Sequence, residues 1–116
     1  MVRLFSIYMD NILIGKSEFE SGDPPMSVAN GKYLPEPTYL SVKDKIIDLF
    51  EDDQAQLNLH VSTEDGVKIM TIFVRIEDYS KVLDDVDVDI EVTMALYNAE
   101  RYQELFPHQC QQYFGH

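Results

Sequence analysis

From Asp85 to Leu96 the chain alternates without a break, Val86, Val88, Ile90, Val92, Met94 and Leu96 against Asp85, Asp87, Asp89, Glu91, Thr93 and Ala95. A period of two is the signature of a β-strand with one buried face. One side of this strand is therefore core, and the other is a comb of carboxylates spaced roughly 6.7 Å apart. Like charges so close repel, and aspartate is a poor strand former. Such a row is costly unless a cation meets it, or unless it lines a sheet edge and guards it against aggregation by charge.

The rest of the chain supplies partners for this strand. Val2 to Met9 and Ile12 to Phe19 read as a hairpin closed by Asp10-Asn11, two residues that tolerate a positive φ. That turn puts Phe5, Ile7 and Met9 on one face with Ile12 and Ile14, and leaves Leu4, Tyr8 and Leu13 on the other. Gln56 to Thr63 and Val67 to Ile76 read as a second hairpin turned by Asp65-Gly66, with Leu57, Leu59 and Val61 opposite Val74, Ile72 and Met70. Between the hairpins, Ser41 can cap a helix running to about Glu51, with Asp44 in its first turn. Tyr39, Val42, Ile46, Leu49 and Phe50 would form its buried stripe. Asp78 to Leu83 can add one or two helical turns. Asn98 can cap a short helix through Leu105, and Pro107 suits the first turn of another.

From Glu20 to Pro37 the pattern breaks. Gly22, Pro24, Pro25, Gly31, Pro35 and Pro37 predict a long loop, anchored on the core by Met26, Val28, Tyr33 and Leu34. These elements predict one α+β domain over residues 1–116, an antiparallel sheet of about five strands with one main helix on a face and short C-terminal helices. The alternative is two packed hairpins with the helix between them.

Charge narrows the function classes. Twenty-one Asp and Glu against nine Lys and Arg give a net charge of −12, which repels nucleic acid and anionic membrane and favours basic surfaces. The expected partner is a basic protein, with no nucleic acid and no membrane. Binding residues on this reading are Asp85, Asp87, Asp89 and Glu91 of the comb, Glu51, Asp52 and Asp53 after the first helix, and Asp23. Within Gly22-Asp23-Pro24-Pro25-Met26, Asp23 is either presented to a partner or occupied in stiff turn chemistry. Cys110 is the single cysteine, so no internal disulfide forms, and a reducing, cytoplasmic setting is expected. No run is long and apolar enough to span a bilayer.

Catalytic and metal signatures are missing. His108 and Cys110 stand two apart, but a tetrahedral zinc site needs two more ligands at familiar spacings. Cys110 served by His60 or His108 would be a nucleophile assembled only in space. None of the phosphate-binding, hydrolase or metalloprotease motifs occurs. Neither a cofactor nor a metal is expected, and no catalytic residue is assigned.

Glu20-Ser21-Gly22-Asp23-Pro24-Pro25-Met26, followed by Ala29, Gly31, Pro35 and Tyr39, together with Tyr102, Leu105-Phe106-Pro107-His108 and Tyr113, resembles a group of small bacterial proteins of uncharacterised function. The resemblance implies a bacterial source and carries no catalytic residue. As a class, an acidic domain without catalytic spacing also looks like the immunity proteins that neutralise bacterial toxins. The expectation is therefore a non-enzymatic binding protein, most concretely an immunity protein occluding the active site of a basic nuclease-type toxin. The competing classes are a small-molecule enzyme using residues 20–37 as a lid, and a structural homo-oligomer joined through sheet edges.

Overall fold

The computed structural model describes residues 3–49, 54–79 and 90–114. Over these described residues the fold is α+β, with eight strands in two antiparallel sheets of four rather than one sheet of about five. In chain order the strands are β1 (Phe5–Met9), β2 (Ile12–Ser17), β3 (Ser21–Asp23), β4 (Val28–Lys32), β5 (Leu34–Pro35), β6 (Leu59–Ser62), β7 (Thr71–Asp78) and β8 (Ile90–Leu96). The first sheet runs β5-β2-β1-β6 and the second β3-β4-β8-β7. Helices α1 (Lys43–Asp48), α2 (Ala99–Leu105) and α3 (Pro107–Phe114) complete it.

The chain changes sheets three times among the described residues, and each crossing drops one large side chain into the core. Phe19 does so between β2 and β3, Tyr33 between β4 and β5, and Ile69 between β6 and β7, all at most 2% exposed. Burying each such side chain is worth roughly 1.5 to 3 kcal/mol. The inner faces of both sheets, with Ile7, Val61, Ile76, Val92 and Met94, belong to one contiguous cluster. Phe106, at the joint of α2 and α3, packs its ring 5.4 Å from Phe5 and 6.5 Å from Phe19, so the C-terminal helices sit on the first crossing.

The first hairpin forms as expected, with Met9 opposite Ile12 and Asp10 at φ 54°. A bulge corrects its faces. Ile7 pairs with Gly15 and Tyr8 with Leu13, so Ile14 is the extra residue, buried, while Ile12 turns outward at 50% exposure.

Residues 20–37 are not a loop. They contain β3, β4 and β5, and β4 is an inner strand. Here glycine and proline serve tertiary fit. A Cβ on Gly31 would press on the Phe19 backbone, Pro24 and Pro25 make a 3-10 turn ending at left-handed Ser27, and Pro35 lies in edge strand β5, where a missing donor is tolerated.

Ser41 does not cap α1. Its hydroxyl donates back to the Thr38 carbonyl at 2.7 Å inside a 3-10 turn over Pro37–Ser41, and the helix starts one residue later from Val42 without a side-chain cap. Tyr39, Val42 and Ile46 are buried as the stripe requires. Asn98 does cap α2, its Oδ1 accepting from the Glu100 and Arg101 amides at 2.8 and 3.1 Å, and Pro107 opens α3.

The second hairpin splits. Its turn is made, with Gly66 at φ 87° and bonds from Thr63 to Val67 and from Ile69 to Val61. The register differs by one residue from the alternation, placing Ser62 opposite Lys68. Beyond that point β6 pairs with β1 and β7 with β8, leaving Met70 and Ile72 exposed instead of facing Val61 and Leu59. β7 continues through Asp78, Tyr79 enters a 3-10 turn, and the rest of the helical turns expected over 78–83 lies outside the described residues.

Candidate functional site

Of the eight acids expected to bind a partner, Asp85, Asp87, Asp89, Glu51, Asp52 and Asp53 lie outside the described residues. Glu91 and Asp23 are described, and the fold does not bring them together. Asp23 is opposite Val28, which is opposite Ala95, whereas Glu91 is opposite Lys32. That separates them by about 13 Å along the strands and about 9 to 10 Å across them. Asp23 is exposed, and its side chain makes no cap bond to the turn that follows.

β8 lies between β4 and β7, so its described part is no sheet edge. Val92, Met94 and Leu96 are buried, as the alternation requires, while Glu91 and Thr93 are half-buried on the other face. Ala95, placed by alternation with the outer residues, is also buried. Glu91 stands directly opposite Glu77 on β7 and opposite Lys32 on β4, and its carboxylate accepts from the Asn30 amide at 2.7 Å. Burial, then the fields of Glu77 and Glu91, push the Tyr79 hydroxyl's ionisation upward. This corner of the second sheet is an acidic locus built by cross-strand register, and it is where the chain leaves toward the aspartates of the comb.

Asp78 is a different kind of acid. It is 1% exposed and accepts from the Tyr39 hydroxyl at 2.7 Å, while Tyr33, packed edge-on to Tyr39 at 5.0 Å, donates to the Ile14 carbonyl at 2.6 Å. Burial first, and then the neighbouring carboxylates, hold both phenols protonated far above their usual range. The cluster fastens the Tyr33 crossing to β7 and α1's approach, which is a structural task.

A second feature was not read from the sequence. Where β6 and β7 part, they leave a cleft of about 470 Å³ lined by His60, Lys68, Ile69, Met70, Ile72, Phe73, Val74, Arg75 and Gln54, among others. A volume of that order is typical of ligand sites. Met70, Ile72 and Phe73 are 70%, 58% and 47% exposed around it. Among the described residues the lining holds two cationic side chains and no Asp or Glu, in a chain with more than twice as many acids as bases. Tyr8 stacks on the His60 ring at 5.2 Å. The His60 Nδ1 is buried without a hydrogen-bond partner, and burial, then Lys68, hold the ring's pKa below its ordinary value. A signal existed in the sequence, since Ile72-Phe73-Val74 breaks the alternation that a simple hairpin strand would keep.

Other candidates stay apart. Cys110 is buried in α3 and lines neither this cleft nor a second one, of about 490 Å³, between Arg3, Thr63 and Arg101. His108 is exposed. Among the described residues no three His, Cys, Asp or Glu side chains are grouped to hold a metal ion, and no helix is long and apolar enough to cross a membrane. The chain matches no protein-family model, no curated protein and no solved structure.

Proposed function

We propose that this is a non-enzymatic binding protein that docks on a basic protein through the acidic corner of its second sheet, most concretely as an immunity protein covering the active site of a nuclease-type toxin. The observation that carries the reading is the register of Glu77 on Glu91. Like charges directly opposite across a strand pair are destabilising, on the scale of the roughly 0.2 to 1 kcal/mol that such pairs command. Lys32 stands opposite Glu91 on the β4 side, and Arg75 lies two residues before Glu77 on β7. With 21 acids and nine bases, at least twelve carboxylates have no cation of their own in the chain. A basic partner would offset that repulsion, and the long-range field would speed its arrival.

The test is affinity capture from the source organism at low and high salt, with the wild type and with the double reversal Glu77→Lys, Glu91→Lys. A basic protein retained at low salt, released at high salt and lost with the reversal supports the reading. A complex indifferent to both salt and reversal refutes it.

A further inference from the structure

The β6–β7 cleft has walls made of two strand edges, and the hydrogen-bond parity of each edge can be worked out. The Asp10 amide donates to the Asn58 carbonyl at 3.1 Å, which continues the β1–β6 ladder. The period of two then assigns the ladder bonds to Asn58, His60 and Ser62, and turns the peptide groups of Leu59 and Val61 away from β1. Val61 uses its carbonyl to accept from Ile69 at 2.8 Å; Leu59 is one rung further, where β7 has moved off. On β7 the side chain of Gln54 does what a neighbouring strand would do. Its Nε2 donates to the Ile76 carbonyl and its Oε1 accepts from the Ile76 amide, both at 2.8 Å. Ile76 therefore points its peptide groups away from β8, and Val74, two residues back, does the same into the cleft that it lines.

We propose that this cleft is a second binding site, separate from the acidic corner, which takes an extended polypeptide segment bearing a carboxylate side chain as an added strand on the open edge of β7. Strand addition supplies main-chain bonds at the rungs after Gln54, and pockets for alternate side chains against Met70, Ile72 and Phe73. Charge complementarity selects the carboxylate: the exposed Lys68 lines the cleft, none of its described lining residues is an acid, and the net charge of −12 makes this a rare basic lining in an acidic protein. The unpartnered Nδ1 of His60 is a buried polar atom that an incoming group can satisfy.

The probe is an acetylated, amidated eight-residue peptide alternating valine and threonine with one central glutamate, titrated into the ¹⁵N-labelled protein. Shifts at the amides of Leu59, His60, Ile72 and Val74 are expected. Replacing the peptide's glutamate by glutamine should weaken binding by about tenfold, the loss of one charge-assisted bond, and lysine should weaken it further. Methylating one alternate set of peptide nitrogens should abolish binding and the other set should not, since only one set faces β7. Lys68 is exposed, and Lys68→Glu should reverse the preference between the glutamate and lysine peptides without disturbing the fold. Equal binding of the two peptides, equal effects of both methylated sets, or binding of acetylglutamate amide as tight as that of the peptide would each overturn the proposal. So would a homodimer, found by sedimentation, whose interface protects these same amides in the free protein.

Discussion

Replacing Gln54 isolates what a single side chain contributes at a sheet edge. Gln54 is 3% exposed and Ile76 is fully buried, so the Ile76 amide and carbonyl have no water to fall back on. Gln54→Leu keeps the volume and removes both partners. Each orphaned group costs about 1 to 3 kcal/mol, and the more apolar side chain returns about 1 kcal/mol. The expected loss is about 1 to 5 kcal/mol, against a total stability on the order of 5 to 15 kcal/mol for a domain of this size. Gln54→Glu separates the two bonds. The introduced carboxylate can still accept from the Ile76 amide but faces the Ile76 carbonyl with no proton to give, so its pKa rises in the folded state. A raised carboxyl pKa means stability present at low pH and lost as pH rises through it. This variant should therefore gain on the wild type between pH 7 and pH 4.5. Guanidinium unfolding at the two pH values, with the slope m checked for constancy, measures both effects, and amide exchange at Ile76 localises them. A Gln54→Leu variant within 0.5 kcal/mol of the wild type would refute the view that this amide stands in for a strand.

Alkaline titration tests the buried phenols. Tyr33, Tyr39 and Tyr102 donate to Ile14, Asp78 and Val28, and burial above all raises their ionisation far beyond the ordinary value. Unfolded tyrosine ionises near pH 10, so the stability these groups confer is complete below about pH 10 and drains away as pH rises. Absorbance at 295 nm should rise in two phases, the second coinciding with loss of circular dichroism; a single phase completed before unfolding would refute it. Gly15→Ala should destabilise by about 1 to 3 kcal/mol through overpacking, because the new methyl would fall on the buried Tyr33 ring. In equilibrium unfolding, Tyr33→Leu should absorb most of that cost in the double variant, and strict additivity would refute the contact.

What was legible in the sequence was local. Asn98 and Pro107 set helix starts through groups within three residues of themselves, and Met9 to Ile12 close a turn through adjacent residues. What was not legible depends on which sheet a strand joins. Asp65-Gly66 makes its turn as read, yet β6 and β7 each find a better long partner in β1 and β8. Periodicity reports the buried face of a strand and is silent about its neighbours. The same limit hid β4, whose Gly31 reads as a breaker but is required where the Phe19 crossing passes over it. It also hid the position of β8, which was read as a partner-facing or edge strand because its acids imply an exposed side; an exposed face and an exposed edge are independent properties. Of the acids read as a site, Glu91 and Asp23 are solvent-accessible in part or in full, but their separation follows from strand order, which composition does not encode.

The split hairpin also explains how an apolar edge can stay open without another sheet pairing along it. A long exposed edge flanked by Met70, Ile72 and Phe73 would ordinarily invite sheet-to-sheet association. Here β6 stands across from β7, tied to it at Val61 and Ile69 and diverging from there, while Gln54 closes the rung at Ile76. A gap bounded at both ends and walled on both sides can admit one strand but not the edge of another sheet. Lys68 at its mouth further disfavours a basic visitor. The same geometry that protects the edge from indiscriminate pairing therefore sets the size and charge of what can enter, which is why the length and the sign of the bound segment, and not its affinity alone, are the quantities that decide whether the cleft is a site.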